Sequence, residues 1–292
     1  MSRAHVVSPS ELHALRDLEL ATRATVEGLR QGLHRSPFHG YTAEFSQYRH
    51  YRPGDDLKYV DWKAFARTDR VYTRQFRETT NLTALFVVDT SASMNYPDDR
   101  SKFALARAVT AILGTLVIDQ GDAAGVLALG DRAHFVPARS GRRHLRTFLS
   151  ELARLSPGGA NTIDAALRRG ATIMKRRGLV IVVSDLYEDE AALPEIRRLK
   201  RMGHDVIVLQ TLAPEELTLE VGGAAEFVDL ETGRRLLVQP SGMRESYTVG
   251  LHAWLSNIER TLRGEGIDYL RLITGKALEP VLRRFLVQRR GA

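Results

Sequence analysis

The sequence predicts an α/β fold, with a doubly wound, mostly parallel sheet, helices on both of its faces, and a small N-terminal helix and β-rich module in front. The main observation is the pattern after Leu82, where short apolar runs alternate with longer stretches of helical periodicity. This alternation is typical of a parallel sheet that is covered by helices. The chain of 292 residues is also long enough for one full α/β domain with additions.

Residues 1–80 differ in pattern from the rest and are predicted to form a separate module. Residues 11–31 carry leucines near helical spacing, after a possible Ser10 cap, and predict an amphipathic helix. Residues 34–77 are rich in aromatic and β-forming residues, and the composition of 52–56 (Arg-Pro-Gly-Asp-Asp) predicts a turn. We therefore expect a helix followed by a small β-rich unit.

Residues 81–292 are predicted to form the α/β domain. The predicted strands are 83–88, 124–129, 132–137, 179–184, 205–211 and 267–273. The predicted helices lie near 101–118, 142–154, 163–176, 189–202, 243–263 and 277–289. A short turn at Gly130-Asp131 predicts one antiparallel edge strand, and residues of about 217–240 interrupt the alternation with an inserted β-hairpin that turns at 231–234.

Composition narrows the classes of protein to which this chain can belong. There are no cysteines, which excludes disulfides and thiolate chemistry and is typical of a reducing compartment. No apolar run approaches the length of a membrane span, and no signal sequence is evident, so we expect a cytoplasmic protein. The net charge is +7, but the arginine groups are scattered over predicted helices, which favours solvated helix faces over a nucleic-acid surface.

Oxygen-bearing side chains follow two of the predicted strands. Asp89, Ser91 and Ser93 come directly after strand 83–88, and Asp185 follows strand 179–184. Thr162 stands between the glycine-rich loop 158–161 and helix 163–176. The carboxyl ends of strands meet near the point where strand order reverses, so these side chains are expected to share one crevice. Hard oxygen donors of this kind suit Mg²⁺ or Mn²⁺.

Each of these residues also has an ordinary structural interpretation. Asp followed by Ser is common at helix N-caps and turns, Asn161 or Thr162 would serve as a cap for the next helix, and Asp185 would be a plain loop acid. Other functional motifs are absent from the sequence. There is no P-loop, no dinucleotide fingerprint, no G-x-S-x-G elbow and no H-E-x-x-H. Ser91 also stands where a haloacid-dehalogenase-type phosphatase needs a second Asp. These absences favour a binding protein over an enzyme.

Two segments carry a resemblance to known families. The D-x-S-x-S spacing of Asp89, Ser91 and Ser93, with Thr162 and Asp185 downstream, resembles the metal-ion-dependent adhesion site of von Willebrand factor A domains. Residues 48–63, followed by 72–76, are similar to the hallmark of a bacterial family of unknown function. That family joins such a segment to a downstream von Willebrand A-like domain. The likeness covers nearly the whole chain.

The resemblance implies a site and partners. The three hydroxyls would bind Mg²⁺ or Mn²⁺ directly, with both carboxylates close by, partly through water, and one coordination position would remain for a partner's Glu or Asp. Members of the family are typically encoded beside MoxR-type AAA+ ATPases and are thought to act with them in the assembly or maturation of protein complexes. We therefore expect a metal-dependent adaptor for a MoxR-type AAA+ ATPase and an unidentified client, and not an enzyme.

Two other interpretations remain from the sequence. One is a Mg²⁺-dependent hydrolase in the same crevice, with Asp185 as the general base. The other concerns segment 48–63, whose acids alternate with Tyr, Lys and Arg. This alternation favours internal ion pairs over a second acidic site at Asp55, Asp56 and Asp61. We expect turn chemistry and an Arg–Asp network that locks the small module onto the α/β domain, with contact to the ATPase as the alternative role.

Overall fold

The computed structural model describes residues 9–32, 43–78, 82–97, 100–129, 133–158, 162–219, 223–239 and 242–290. The chain divides into two compact units, a small one of residues 39–82 and a larger one of residues 1–38 and 83–292. Helix α1 (Pro9–Gly32) was predicted to belong with the β-rich module. It is part of the larger unit because its apolar face, with Val26 and Leu29, is buried there.

The small unit is a two-stranded antiparallel sheet with one short helix. It contains β1 (Ala43–His50), α2 (Trp62–Thr68) and β2 (Tyr72–Glu78). The predicted turn is present at Gly54, whose φ is +103°. The Asp55 carboxylate accepts hydrogen bonds from Arg49 Nη2 at 2.7 Å and from the Arg52 backbone N–H at 2.9 Å. These contacts show Arg–Asp pairing inside the 48–63 segment, and its predicted role in holding the small module onto the α/β domain stays a prediction.

The larger unit contains each strand and helix that was predicted for the α/β domain. Its strands are β3 (Thr83–Val88), β4 (Ala123–Leu129), β5 (Ala133–Arg139), β6 (Leu179–Ser184), β7 (Asp205–Leu212), β8 (Ala225–Val228), β9 (Arg235–Val238) and β10 (Asp268–Ile273). Its helices after α1 are α3 (Lys102–Asp119), α4 (Arg142–Arg154), α5 (Ile163–Ile173), α6 (Asp189–Arg201), α7 (Pro214–Thr218), α8 (Arg244–Gly264) and α9 (Leu278–Arg290). The largest difference from the predicted bounds is in α5, which ends at Ile173 and not at 176.

Six strands form the central sheet in the order β10-β7-β6-β3-β4-β5. All neighbouring strands are parallel except β4 and β5, which are antiparallel. The predicted antiparallel edge strand is therefore confirmed, although the turn at Gly130-Asp131 lies outside the described residues. Chain order reverses between β3 and β6, so the switch point of the sheet lies between their carboxyl ends.

Helices cover both faces of the sheet, which explains why β3 and β6 are apolar at nearly every position. On one face, α5, α6 and α8 pack over side chains such as Leu85 and Val87 of β3. On the other face, Phe86 contacts Phe148 of α4 with the ring centroids 5.8 Å apart, beside the buried helix α3. None of the helices within the described ranges combines the length and the apolar character needed to cross a lipid bilayer.

The predicted inserted hairpin is confirmed as β8 and β9, which pair antiparallel with Phe227 opposite Leu236. Its surface is unusually apolar, since Leu236 and Leu237 are 65% and 76% exposed. The tip of this hairpin consists of residues 229–234.

Candidate metal centre at the carboxyl edge of the sheet

The predicted site residues of β3 and β6 lie side by side at the switch point. The two strands are parallel neighbours with Val88 opposite Val183, and the pairing continues past β3, because the Asp89 backbone N–H donates to the Val183 carbonyl at 2.9 Å. Asp89 and Asp185 are both buried, with 4% and 2% exposure. The expected meeting of the two carboxylates in one crevice follows from this strand pairing.

Asp89 is held in place by donors on both of its oxygens. Its Oδ1 accepts from the Ser91 backbone N–H at 2.9 Å, and its Oδ2 accepts from the Ser184 hydroxyl at 2.5 Å. Burial, and next the negative charge of Asp185, raise the pKa of Asp89 from its ordinary 3.8 to about 6. The two buried carboxylates therefore lie close enough for the charge on Asp185 to disfavour ionisation of Asp89.

The two serines link the two carboxylates. A single 3₁₀ turn, Ala92–Asn95, follows Ser91 and brings the Ser93 hydroxyl to 3.1 Å from the Ser91 hydroxyl. The Ser93 hydroxyl donates to Asp185 Oδ2 at 2.8 Å. The side-chain oxygens of Ser91, Ser93 and Asp185 are therefore direct neighbours, and Asp89 joins them through the backbone N–H of Ser91.

The fifth predicted ligand, Thr162, is less directly connected. It occupies the N-cap position of α5 without a side-chain capping bond, and its hydroxyl donates to the Asp164 carboxylate. Among the described residues, Ile163 lines the crevice and Thr162 does not. The preceding loop does reach the site, because the Gly158 N–H donates to the Thr90 carbonyl at 2.7 Å, whereas 159–161 lie outside the described residues. The place of Thr162 among the ligands stays a prediction.

Lys102 is a site residue that the sequence analysis missed. It is the first residue of α3, its side chain is fully buried, and its Nζ lies 2.8 Å from Asp185 Oδ2 and 2.6 Å from Glu216 Oε1. The same ammonium stands over the Tyr187 ring, 4.3 Å from the centroid. One sequence signal pointed to it, because a cation in the first turn opposes the helix dipole and is unfavourable without a specific partner.

A large cavity of about 1010 Å³ opens beside these side chains, between the crevice and the β8–β9 hairpin. Lys102 is the basic residue among its described lining, and acidic residues are far more numerous. Burial raises the pKa of one of them, Glu188, and the charges of Glu231, Asp164 and Asp185 raise it further. A concave surface lined by one sign of charge concentrates counter-ions, so this cavity attracts cations although the protein is basic overall. The acidic residues are Asp89, Asp185, Glu188, Glu215, Glu216, Glu226, Asp229 and Glu231.

The oxygens of the crevice fit a hard divalent cation. An octahedral Mg²⁺ ion with bonds of about 2.0–2.1 Å places adjacent ligand oxygens about 2.9 Å apart. The Ser91–Ser93 and Ser93–Asp185 oxygen pairs are separated by 3.1 Å and 2.8 Å. Within the described ranges no group of three or more His, Cys, Asp or Glu side chains is arranged to hold a metal ion. A cation here would therefore depend on hydroxyls and water as well as on the two carboxylates.

The sheet order, the antiparallel edge strand and an oxygen-rich crevice at the switch point define a von Willebrand A-like α/β domain. The chain belongs to the family described as "Protein of unknown function DUF58", whose model matches residues 47–253. This match spans most of the small unit and the candidate site.

Similar proteins are found at full length and among solved structures. The uncharacterized protein Rv1480 of Mycobacterium tuberculosis (strain ATCC 25618 / H37Rv) is 32% identical over an alignment of 304 positions, which covers 100% of this chain and 94% of that protein. The conserved hypothetical protein BatB from Bacteroides thetaiotaomicron is 17% identical with a TM-score of 0.45, covering 72% of this chain and 100% of that chain. The manganese-loaded TRAP protein of Plasmodium vivax is 19% identical with a TM-score of 0.35, covering 44% and 57%.

Proposed function

We propose that this protein is a metal-dependent protein-binding adaptor whose crevice holds a Mg²⁺ or Mn²⁺ ion and accepts an acidic side chain. The observation that carries the proposal is the group of neighbouring oxygens of Ser91, Ser93 and Asp185, spaced at 3.1 Å and 2.8 Å, with the buried Asp89 beside them on the adjacent strand end. The proposed ligands, bound directly or through water, are Asp89, Ser91, Ser93, Thr162 and Asp185.

Hydrogen bonds within the protein hold the two carboxylates among these ligands in place without help from a cation. Ser184 and the Ser91 amide fix both oxygens of Asp89. The Tyr187 N–H donates to Asp185 Oδ1 at 3.2 Å, and Lys102 holds the other oxygen. When bound, the ion supplies a positive centre with positions open to a further oxygen ligand. Such preorganisation gives a charge-assisted and geometrically selective contact with a carboxylate.

The proposed partners are a MoxR-type AAA+ ATPase and an unidentified client protein. This part of the proposal is supported by the family resemblance of segments 48–63 and 89–93. The hydrolase alternative has less support, because Asp185, the general base that it needs, is itself one of the proposed metal ligands. A general base needs a free lone pair directed at the attacking water.

The first experiment is a titration of the whole chain with Mn²⁺, followed by electron paramagnetic resonance and calorimetry. We expect one bound ion per chain, competition by Mg²⁺, and loss of binding in Asp89→Asn. Asp119→Asn is the matched control, since Asp119 lies at the far end of α3 and pairs with Arg30. Equal Mn²⁺ binding by wild type and Asp89→Asn would refute the site.

The partner is tested by affinity capture from the native cell extract in Mg²⁺ and in EDTA, with mass spectrometry of the captured proteins. Recovery of a MoxR-type ATPase by the wild type in Mg²⁺, and its loss in EDTA or with Asp89→Asn, is the expected result. Recovery that does not respond to either change would place the interface elsewhere on the protein and contradict the metal-dependent mode.

A further inference from the structure

The tip of the inserted hairpin places an acidic side chain on the candidate metal site. Glu231 Oε1 accepts a hydrogen bond of 2.7 Å from the backbone N–H of Ser93, whose hydroxyl is one of the proposed ligands. The two residues are 138 positions apart in sequence, so this contact comes from tertiary structure and not from the local turn. A carboxylate is thus present beside the crevice where a partner's acid is expected.

Hydrogen bonds within the hairpin tip hold the backbone around Glu231 in place. Asp229 Oδ1 accepts from the backbone N–H groups of Glu231 and Thr232, at 2.9 Å and 3.2 Å, and Asp229 Oδ2 accepts from the Thr232 hydroxyl at 2.6 Å. Gly233 closes the turn with a φ of +70°, which glycine adopts without strain. These bonds order the backbone on either side of Glu231.

Negative charge predominates among the side chains that share the cavity with Glu231. The cavity that it lines carries seven other acidic residues, and Glu231 is among the charges that raise the pKa of Glu188. The one basic residue of the described lining, Lys102, is already bound to Asp185 and Glu216. Like charges held at close range repel, so a bound divalent ion would explain why the hairpin brings another acid here.

We propose that a bound cation draws Glu231 from its contact with the Ser93 N–H into the coordination position left open by the other ligands, so that the chain carries its own acidic ligand for the metal. This inference rests on the proposed function, because it needs the cation. A partner's carboxylate then binds the ion only after the hairpin tip has left the crevice. The β8–β9 hairpin acts as an internal competitor for the binding site.

The test compares Glu231→Gln with Glu226→Gln in the full chain. Glu226 lies on the same hairpin and lines the same cavity, but its carboxylate pairs with Arg235 at 3.1 Å, so this variant removes an equal charge from a different place. Mn²⁺ affinity is measured by electron paramagnetic resonance. The number of exchangeable waters on bound Mn²⁺ is measured by water proton relaxation, with acetate added as a probe carboxylate.

In Glu231→Gln we expect Mn²⁺ to bind about 10-fold more weakly or worse, since loss of even an outer-shell partner costs that much. The relaxation enhancement of bound Mn²⁺ should rise, because water takes the vacated position, and acetate should reverse that rise. In the wild type and in Glu226→Gln, acetate should have little effect.

Two results would overturn the inference, and they differ. If wild type and Glu231→Gln bind one Mn²⁺ with equal affinity and equal relaxation enhancement, the metal site stands and Glu231 is not its ligand. If neither protein binds Mn²⁺, the metal site itself is refuted together with the role of Glu231.

Discussion

Lys102→Met tests the electrostatics of the crevice independently of any metal. Methionine retains most of the length and apolar contact of the lysine side chain and removes the ammonium. Lys102 is fully buried, and the side chains of its two partners, Asp185 and Glu216, are 3% and 12% exposed. Solvent therefore screens these ion pairs little, and their loss should be visible in the free energy of unfolding.

The expected magnitude follows from the two distances. At 2.8 Å and 2.6 Å, each pair has a Coulomb energy of about 6 kcal/mol at an effective dielectric constant of about 20. Much of this is offset by the desolvation of the ions, so the measured loss is smaller. Removing one partner of a buried pair typically costs about 3–5 kcal/mol, because the remaining charge stays buried without compensation. We expect this range for Lys102→Met in EDTA.

The assay is urea unfolding followed by circular dichroism, with and without Mg²⁺. If the proposed cation site is real, Mg²⁺ should bind Lys102→Met more tightly than wild type, because the ammonium no longer shares Asp185, and saturating ion should restore part of the lost stability. Lys175→Met is the control, since Lys175 is exposed, and should change stability by no more than about 0.5 kcal/mol. A loss below about 1 kcal/mol in EDTA for Lys102→Met would refute the buried ion pairs.

Three further predictions concern the larger unit. Because the folded protein holds the Asp89 proton more tightly than the unfolded chain does, this carboxyl lowers stability as pH rises from 3.8 to about 6. Asp89→Asn should flatten that part of the pH–stability curve in metal-free urea titrations. If the free energies of unfolding of the two proteins differed by the same amount at every pH in this range, that result would contradict the raised pKa. Gly125→Ala should destabilise by at least about 1–3 kcal/mol in the same assay, because the new Cβ would lie 2.6 Å from the Val136 carbonyl oxygen. Tyr269→Phe should cost about 1–3 kcal/mol, since it leaves the buried Gln210 side-chain oxygen without the hydroxyl at 2.5 Å; no loss would show that water replaces it.

The elements of the α/β domain were predictable because their signals are local. β3 and β6 are apolar at nearly every position, as strands covered on both faces must be. Helix α3 begins after Ser101, whose hydroxyl accepts from the Ala104 N–H at 3.1 Å, a start signal that can be read from the sequence. The grouping of α1 with the larger unit could not be predicted from local sequence signals. It depends on which distant surface buries the apolar face of the helix.

In the candidate site, too, some features could be predicted from local sequence and others depend on tertiary structure. Asp89 and Asp185 could be placed together from sequence because both follow strands of a parallel sheet, and strand ends of one sheet share an edge. The contacts of Lys102 with Asp185 and Glu216 span 83 and 114 residues, and no spacing rule in a single sequence connects such positions. For the same reason, the hairpin could be predicted as a turn at 231–234, but not as a segment that reaches Ser93.

The contact between α1 and α9 has a consequence for how the protein is made. Arg283 donates to the Gly28 carbonyl across 255 positions of the chain, and a Cβ at residue 28 would lie 2.8 Å from the Glu279 carboxylate. At a synthesis rate of about 5–20 residues per second, roughly 10–50 s separate the emergence of these two surfaces from the ribosome. Throughout that interval the apolar side of α1 lacks one of its native neighbours. The packing of α1 is therefore completed only after α9 has been synthesised and has folded onto it.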